Sequence, residues 1–170
     1  DRMAVGGRSG YEYFEKDKNY LYTIAQYFPR MCVYNDVTGW QNKQFLGTGE
    51  FTLPFGDYEV SITVPADHVV AATGECQNLD ALLNTDEKKR LAQARKSDSP
   101  VIIVTQAEAE LAEKTKSSKT KTWIFKATNV RDFAFASSRK FIWDAQNQNV
   151  GGKNILCMSY YPKEGNPLWE

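Results

Sequence analysis

The stretch EFTLPFGDYEVSITVPADHVVAATGE, residues 50–75, decides the fold. Along its centre apolar and polar residues alternate: Tyr58, Val60, Ile62 and Val64 are separated by Glu59, Ser61 and Thr63. This period of two predicts a β-strand with one buried and one solvated face. The strand is expected to end at Pro65, which has no N–H to give to a ladder. Residues 68–73 predict a second strand, and the short polar break between the two predicts that they are neighbours in one sheet.

Alternating segments flank this stretch on both sides. Residues 11–24 contain two such runs around the charged turn 15–19, which predicts a hairpin. Further strands are predicted at 122–127, 133–143 and 155–161, where apolar and aromatic residues recur. The sequence therefore predicts a mainly β domain with two packed sheets, of the β-sandwich class.

The pattern changes between residues 77 and 119. Thr85 is followed first by acidic and then by basic residues, an order that suits the two ends of a helix, and we expect Thr85 to cap it. Thr105 and Glu108 have the spacing of a capping box and predict a second helix. A short buried strand is predicted between the helices, at 101–104. We expect this segment to be a short helical insertion between strands.

Composition and charge narrow the classes of function. The chain has 21 basic and 21 acidic residues, whereas a nucleic-acid-binding domain usually carries a basic excess, so no nucleic-acid partner is predicted. No apolar run approaches the roughly 20 residues that cross a bilayer, so no membrane span is predicted. No signal-peptide pattern is visible in the residues that follow Asp1. We expect it to be an excised part of a longer protein, which leaves its localisation unknown.

The count of histidines bears on catalysis and metal binding. His68 is the single histidine of the sequence, whereas a catalytic zinc usually takes two or three, and a Ser or Cys nucleophile usually needs one as its base. At the start of a strand, His68 is interpreted as a surface or packing residue. We therefore predict no catalytic residue and no self-contained zinc site in this chain.

Residues 26–36 contain charged residues among aromatic ones. Arg30 and Asp36 are separated by mostly apolar side chains. Because buried charges need partners, we predict that Arg30 and Asp36 form an internal structural pair.

Five stretches of the sequence are informative in combination. They are QYFPRMCVYND at 26–36, GW at 39–40, FGDYEVSITVP at 55–65, TG at 73–74 and VRDFAFA at 130–136. Together they resemble the amino-terminal domain of the aminopeptidase N family of zinc metallopeptidases, the gluzincin type that includes the leukotriene hydrolases. The similarity extends from about Gly7 to Trp143 and includes the helical insertion.

The resemblance implies an all-β, saddle-like domain that packs over a thermolysin-like catalytic domain. The H-E-x-x-H zinc motif of the family and its Gly-Ala/Met-Met-Glu-Asn substrate motif are both absent from this sequence. The resemblance also implies that the first strands of the family's domain lie before Asp1. Residues 1–170 are therefore expected to be a noncatalytic amino-terminal β domain with the insertion at 77–119. The zinc cofactor would belong to a catalytic domain absent from this chain, and that domain is the expected partner.

The resemblance also assigns one substrate-binding residue. The family places a Glu or Gln, four to five residues before an Arg, at the mouth of the active site, where it holds the free amino terminus of the peptide. Gln26, four residues before Arg30, matches that position. An amide oxygen accepts hydrogen bonds from an ammonium group, although without the charge attraction that a glutamate would add.

Two alternatives stay open at the level of the sequence. A free-standing β-sandwich module that binds carbohydrate or protein is suggested by the aromatic residues Tyr11, Tyr13, Trp40 and Trp169. A purely structural assembly domain differs from it only in lacking a ligand. A binding module should be complete in itself, whereas part of a larger enzyme should leave an apolar surface unpaired where its partner belongs.

Overall fold

The computed structural model describes residues 9–44 and 52–168 of the chain. Strands account for 46% of the residues and helices for 18%, so the prediction of a mainly β domain is confirmed. The described strands are β1 Gly10–Phe14, β2 Asn19–Ile24, β3 Tyr34–Asn35, β4 Gly39–Trp40, β5 Gly56–Pro65, β6 Val69–Ala72, β7 Glu75–Cys76, β8 Val101–Val104, β9 Thr120–Val130, β10 Phe135–Ser138, β11 Phe141–Val150 and β12 Lys153–Pro162. The helices are α1 Leu79–Leu82, α2 Thr85–Ala94 and α3 Gln106–Thr115, followed near the end by the 3-10 turn Lys163–Gly165.

Within the described ranges these strands are divided among four antiparallel sheets, whereas two were expected. The strand orders are β1-β2-β10-β6, β5-β9-β7, β12-β11-β8 and β3-β4. The predicted hairpin at 11–24 is present as β1 and β2, with Tyr11 opposite Tyr22 and Tyr13 opposite Tyr20. The insertion contributes more than helices, because β8 pairs with β11 and forms one edge of a sheet. The alternating pattern of the sequence thus predicts where strands lie, but it does not predict which strands pair with each other.

The prediction that the two strands of residues 50–75 are neighbours in one sheet is wrong. β5 pairs along its length with β9, from Gly56 opposite Val130 to Pro65 opposite Thr120, whereas β6 pairs with β10 in another sheet. The Ala66 N–H still bonds Lys119 O at 2.8 Å, so the chain follows β9 to its end before it turns away. The break at Pro65 is thus a crossing between sheets and not a hairpin turn.

The core lies where the three larger sheets meet. On β9, Trp123, Phe125 and Ala127 are buried, and they alternate with more exposed residues as the sequence predicts. The core cluster also receives Ile62 from β5 and Trp143 from β11. Because large aromatic side chains bury most apolar area, this cluster supplies much of the driving force that holds the sheets together.

The described α-helices all lie within residues 77–119. The predicted capping box at the start of α3 is present, since Thr105 accepts from the Glu108 backbone and Glu108 reaches back to Thr105 N. At α2 the cap is Asn84 and not Thr85, because the Asn84 side chain accepts from Asp86 N and Glu87 N. The cap lies one residue earlier than predicted, and Thr85 is the first helical residue. No helix in the described residues is long and apolar enough to span a membrane.

A buried lysine joins three distant parts of the chain. Lys140 has no exposed side-chain surface, and its Nζ lies 3.1 Å from Glu113 Oε1 on α3 and 3.0 Å from Glu164 Oε1 in the 3-10 turn. It also pairs with Asp17 in the β1–β2 turn and lies 4.5 Å above the Phe14 ring. This charge network connects the first hairpin, the insertion and the end of the described chain.

Candidate functional site

Gln26 lies just beyond the end of β2, in an irregular segment. Its side chain is exposed, and its backbone has a φ of 54°, in the left-handed region that residues other than glycine seldom adopt. The side-chain amide makes no hydrogen bond to any residue that the structure describes. An exposed, unbonded amide on a constrained backbone is available to a ligand, and outliers of this kind are often found at functional sites.

Arg30 is positioned by a carboxylate other than the predicted one. Its Nη1 lies 2.7 Å from Asp132 Oδ1, and its side chain is only 12% exposed. The predicted pair with Asp36 is not formed, because Asp36 lies exposed in the turn between β3 and β4. Arg30 Nη1 does not meet the geometry of a hydrogen bond to Asp132. The two groups therefore form an ion pair that is defined by their short distance alone. Asp132 Oδ1 also accepts from Phe133 N at 2.7 Å, which fixes the carboxylate.

Aromatic contacts hold the segment that follows Gln26 against two strands. Tyr27 meets Phe135 edge to face at 5.6 Å between ring centroids, and Phe28 meets Tyr58 in the same way at 6.0 Å. Tyr58 in turn lies 6.1 Å from Phe133. Such pairs are worth about 0.5–1.5 kcal/mol each beyond their buried area. Three of the stretches quoted above, around residues 26–30, 55–65 and 130–136, therefore form one packed corner.

A cavity of about 470 Å³ opens beside this corner. Gln26, Arg30 and Lys43 all line it, and no Asp or Glu is found among its described lining residues. The Gln26 carbonyl oxygen can accept from an ammonium group, but the two cations disfavour a positive ligand unless a carboxylate is supplied from outside the described chain. The arrangement therefore provides one hydrogen-bonding group and lacks a complete binding site.

A larger cavity, of about 670 Å³, opens between the sheets. Its lining is mainly apolar and aromatic, and Val70, Trp123, Phe125, Trp143 and Leu156 contribute to it. An apolar concave surface of this size is typical of a ligand pocket or of a surface that another chain segment or domain covers. Gln26 is not among its lining residues.

The aromatic residues suggested as ligand contacts are only partly brought together. Tyr11 and Tyr13 join Tyr20 in one aromatic group, in which the Tyr11 ring meets Tyr20 edge to face at 5.6 Å between centroids and the Tyr13 ring lies tilted against Tyr20 at 4.8 Å. Trp40 instead packs on Tyr34 in the β3–β4 hairpin, and Trp169 lies outside the described residues. Periodicity could have found the tyrosine group, since each of its members lies on the same face of the predicted hairpin.

Sequence reasoning missed the surroundings of His68. This residue is buried, and its Nδ1 lies 2.9 Å from Ser137 Oγ on β10. The pKa of His68 is lowered to about 4, mainly because the imidazole is buried and to a smaller extent because Arg139 repels the charged form. Within residues 9–44 and 52–168, no group of three His, Cys, Asp or Glu side chains is placed to hold a metal ion.

Comparisons of the chain with protein-family models, curated proteins and solved structures found no match.

Proposed function

We propose that this chain is the noncatalytic amino-terminal domain of a zinc-dependent aminopeptidase. In this role it covers the active site of a catalytic domain in the same polypeptide. Gln26 then binds the free amino terminus of the peptide substrate. The zinc ion and the catalytic groups belong to that other domain.

One observation carries the proposal. The stretches on which the resemblance rests are far apart in sequence, yet Arg30 and Asp132 bring two of them into contact at 2.7 Å. The residue that the resemblance assigns to substrate binding lies at the edge of the same corner, exposed and unbonded to described residues. A shared structural role explains why these residues occur together in the sequence.

Two further features support a missing partner domain. The cavity beside Gln26 has cationic and amide groups but no carboxylate among its described lining residues, so a tight ammonium site needs acidic groups from elsewhere. The apolar cavity between the sheets is the kind of surface expected where a partner has been removed.

The proposal is tested by comparing this chain with the polypeptide encoded when the reading frame is continued beyond Glu170. The longer protein should contain H-E-x-x-H, about one equivalent of zinc, and an aminopeptidase activity that a chelator removes. The chain of 170 residues should hold no stoichiometric zinc and release no product from aminoacyl chromogenic substrates. Stoichiometric zinc with chelator-sensitive turnover in the short chain, or a longer protein without the motif, would refute the proposal.

A free-standing binding module is the second candidate. The specific observation in its favour is the group of clustered tyrosines on the β1–β2 hairpin, where Tyr13 is 39% and Tyr20 is 42% exposed. Clustered, partly exposed aromatic side chains are frequent in binding surfaces. The same comparison separates the two candidates, because a binding module needs no catalytic domain after it.

A further inference from the structure

A third cavity, of about 440 Å³, lies where the tyrosine-bearing hairpin meets the crossing between β5 and β6. It shares no lining residue with the cavity beside Gln26, although Tyr22 and Ile24 of its wall lie a few residues before Gln26 in the chain. Its volume is within the usual range of small-molecule sites, roughly 300–1,000 Å³. Its walls combine a few polar groups with aromatic and aliphatic side chains, which is the usual composition of such sites.

The first polar group is the imidazole of His68. The residue is 6% exposed, and its Nδ1 is held by Ser137 Oγ at 2.9 Å. Its Nε2 has no hydrogen-bond partner among the described residues, and His68 lines the cavity. When the Ser137 hydroxyl donates to Nδ1, the neutral ring carries its proton on Nε2. His68 Nε2–H is then a donor available to a ligand in the cavity, and the buried hydrogen bond between Nδ1 and Ser137 fixes the orientation of the ring.

The second polar group is the guanidinium of Arg139, whose side chain is 13% exposed. Its Nε lies 3.4 Å from Asp67 Oδ2, but that Nε is buried without a hydrogen-bond partner among the described residues. Nη1 makes a long bond of 3.4 Å to Asn19 Oδ1. Arginine has several N–H donors, and buried donors are normally satisfied. Arg139 therefore has hydrogen-bonding capacity that the described protein does not use.

The charged residues around the cavity also favour a ligand that accepts hydrogen bonds. Lys18 also lines the cavity, and no Asp or Glu is found among its described lining residues. Asp67 offsets part of the Arg139 charge, but its Oδ2 is shared with the Ser117 backbone N–H at 2.7 Å. The result is a surplus of positive charge and of N–H donors, which favours an anionic ligand.

The apolar walls favour a flat ligand. Tyr20 and Tyr22 stack at 5.8 Å with an interplanar angle of 18°, and the Tyr22 ring lies 6.4 Å from His68. Phe135 and Pro65 also line the cavity. Aromatic rings pack well against other rings in offset or edge-to-face arrangements.

We propose that this cavity binds a small aromatic carboxylate. The ring of the ligand packs against Tyr22 and Phe135, and its carboxylate accepts hydrogen bonds from Arg139 and from His68 Nε2–H, with Lys18 at the entrance adding charge attraction. This site is independent of the proposed function, since it involves neither Gln26 nor a catalytic domain.

The test uses the single histidine as a reporter. Protein with isotope-labelled histidine gives one imidazole spin system, which is titrated with 4-hydroxyphenylacetate and followed by NMR. The matched neutral probe is 4-hydroxyphenylacetamide, which has the same ring and no charge. The proposal predicts saturable shifts of the His68 signals with the carboxylate and binding at least about tenfold weaker with the amide, because the amide keeps one acceptor oxygen but lacks the negative charge that Arg139 attracts.

Variants locate the binding. Arg139→Gln should weaken binding of the carboxylate about tenfold or more, and Lys18→Gln about two- to fivefold, since Lys18 is exposed. Lys153→Gln, an exposed lysine on β12 outside the cavity, should change nothing. If Arg139→Gln does not fold, Ser137→Ala replaces it, because the variant releases His68 Nδ1 and should also weaken binding. Equal binding of acid and amide, the absence of saturable His68 shifts, or equal losses in Lys18→Gln and Lys153→Gln would overturn the proposal.

Discussion

The buried imidazole of His68 makes the stability of the fold depend on pH. Its pKa in the folded chain is about 4, below the ordinary value of 6.5. Between these two values the unfolded state binds more protons than the folded state. The free energy of unfolding therefore falls as pH is lowered from 6.5 towards 4, by up to about 3 kcal/mol.

Two measurements check this expectation. An NMR titration of the single imidazole should give a midpoint near 4, and urea unfolding should show lower stability at pH 4.5 than at pH 7. The variant His68→Gln should lose this part of the pH dependence. A midpoint close to the ordinary value of 6.5 would contradict the burial of His68 against Ser137.

The role of a single residue could be predicted from the sequence only where that role depends on the residue type and not on its partners in the fold. A single histidine in the sequence argues against a self-contained zinc site, but nothing local indicates that Ser137, 69 residues later, is its partner. For the same reason the sequence predicts Asp36, a carboxylate nearby in the chain, as the partner of Arg30. Its actual partner, Asp132, lies beside it where Phe28 packs on Tyr58 and Tyr58 packs on Phe133.

At the scale of the elements, the start of α2 gives a matched pair of substitutions. Asn84 accepts hydrogen bonds from two backbone N–H groups at 2.9 Å each, whereas Thr85 is the first helical residue. We expect Asn84→Ala to lower the free energy of unfolding by about 1 kcal/mol, because it leaves N–H groups of the first turn unsatisfied. Thr85→Ala should change it by less than about 0.5 kcal/mol.

Chemical denaturation of both variants at neutral pH measures the difference. A larger loss for Thr85→Ala than for Asn84→Ala would restore the cap assignment made from the sequence. The reason for the error is physical: Asn and Thr are both good caps, and the deciding contact is the hydrogen bond that the Asn84 backbone N–H donates to Glu87 Oε2, at 2.8 Å.

Strands were predictable as elements and not as partners. The alternation in β5 and β9 follows from the chemistry of a half-buried surface, so their buried residues could be named from the sequence. The assignment of β5 and β6 to one sheet failed, because a polar break after a strand is compatible with a hairpin or with a crossing. What decides between them is the pairing of β5 with β9, which lies beyond the helical insertion.

At the scale of the whole molecule, the Lys140 network connects parts that no single sheet joins. Lys140→Met should lower the free energy of unfolding by about 3 kcal/mol, because it removes the buried cation that Asp17 and Glu113 share and leaves Glu113 only its pair with Lys163, 3.0 Å from Oε2. The matched control is Lys126→Met, which removes an exposed pair with Glu59 at 3.2 Å and should cost less than about 1 kcal/mol.

Urea unfolding of the two lysine variants gives both values under the same conditions. Similar small losses in both would mean that Lys140 is solvated in solution and that the network does not hold the hairpin, α3 and the 3-10 turn together. The sequence does not indicate this network, since Arg139 and Lys140 are simply two charged residues inside the strand predicted at 133–143.

The central claim concerns Gln26, and the most direct measurement is the effect of substituting it in the longer polypeptide, with a catalytic domain, that the proposed function predicts. Gln26→Ala should lower kcat/KM for peptides with a free amino terminus about ten- to a hundredfold, the cost of one hydrogen bond to a charged group. Gln26→Glu should preserve or raise it, and neither substitution should affect residual cleavage of amine-blocked peptides. Gln44→Ala, an exposed glutamine outside the cavity beside Gln26, should behave as wild type. Unchanged kcat/KM in Gln26→Ala, or loss of the fold in that variant, would contradict the account.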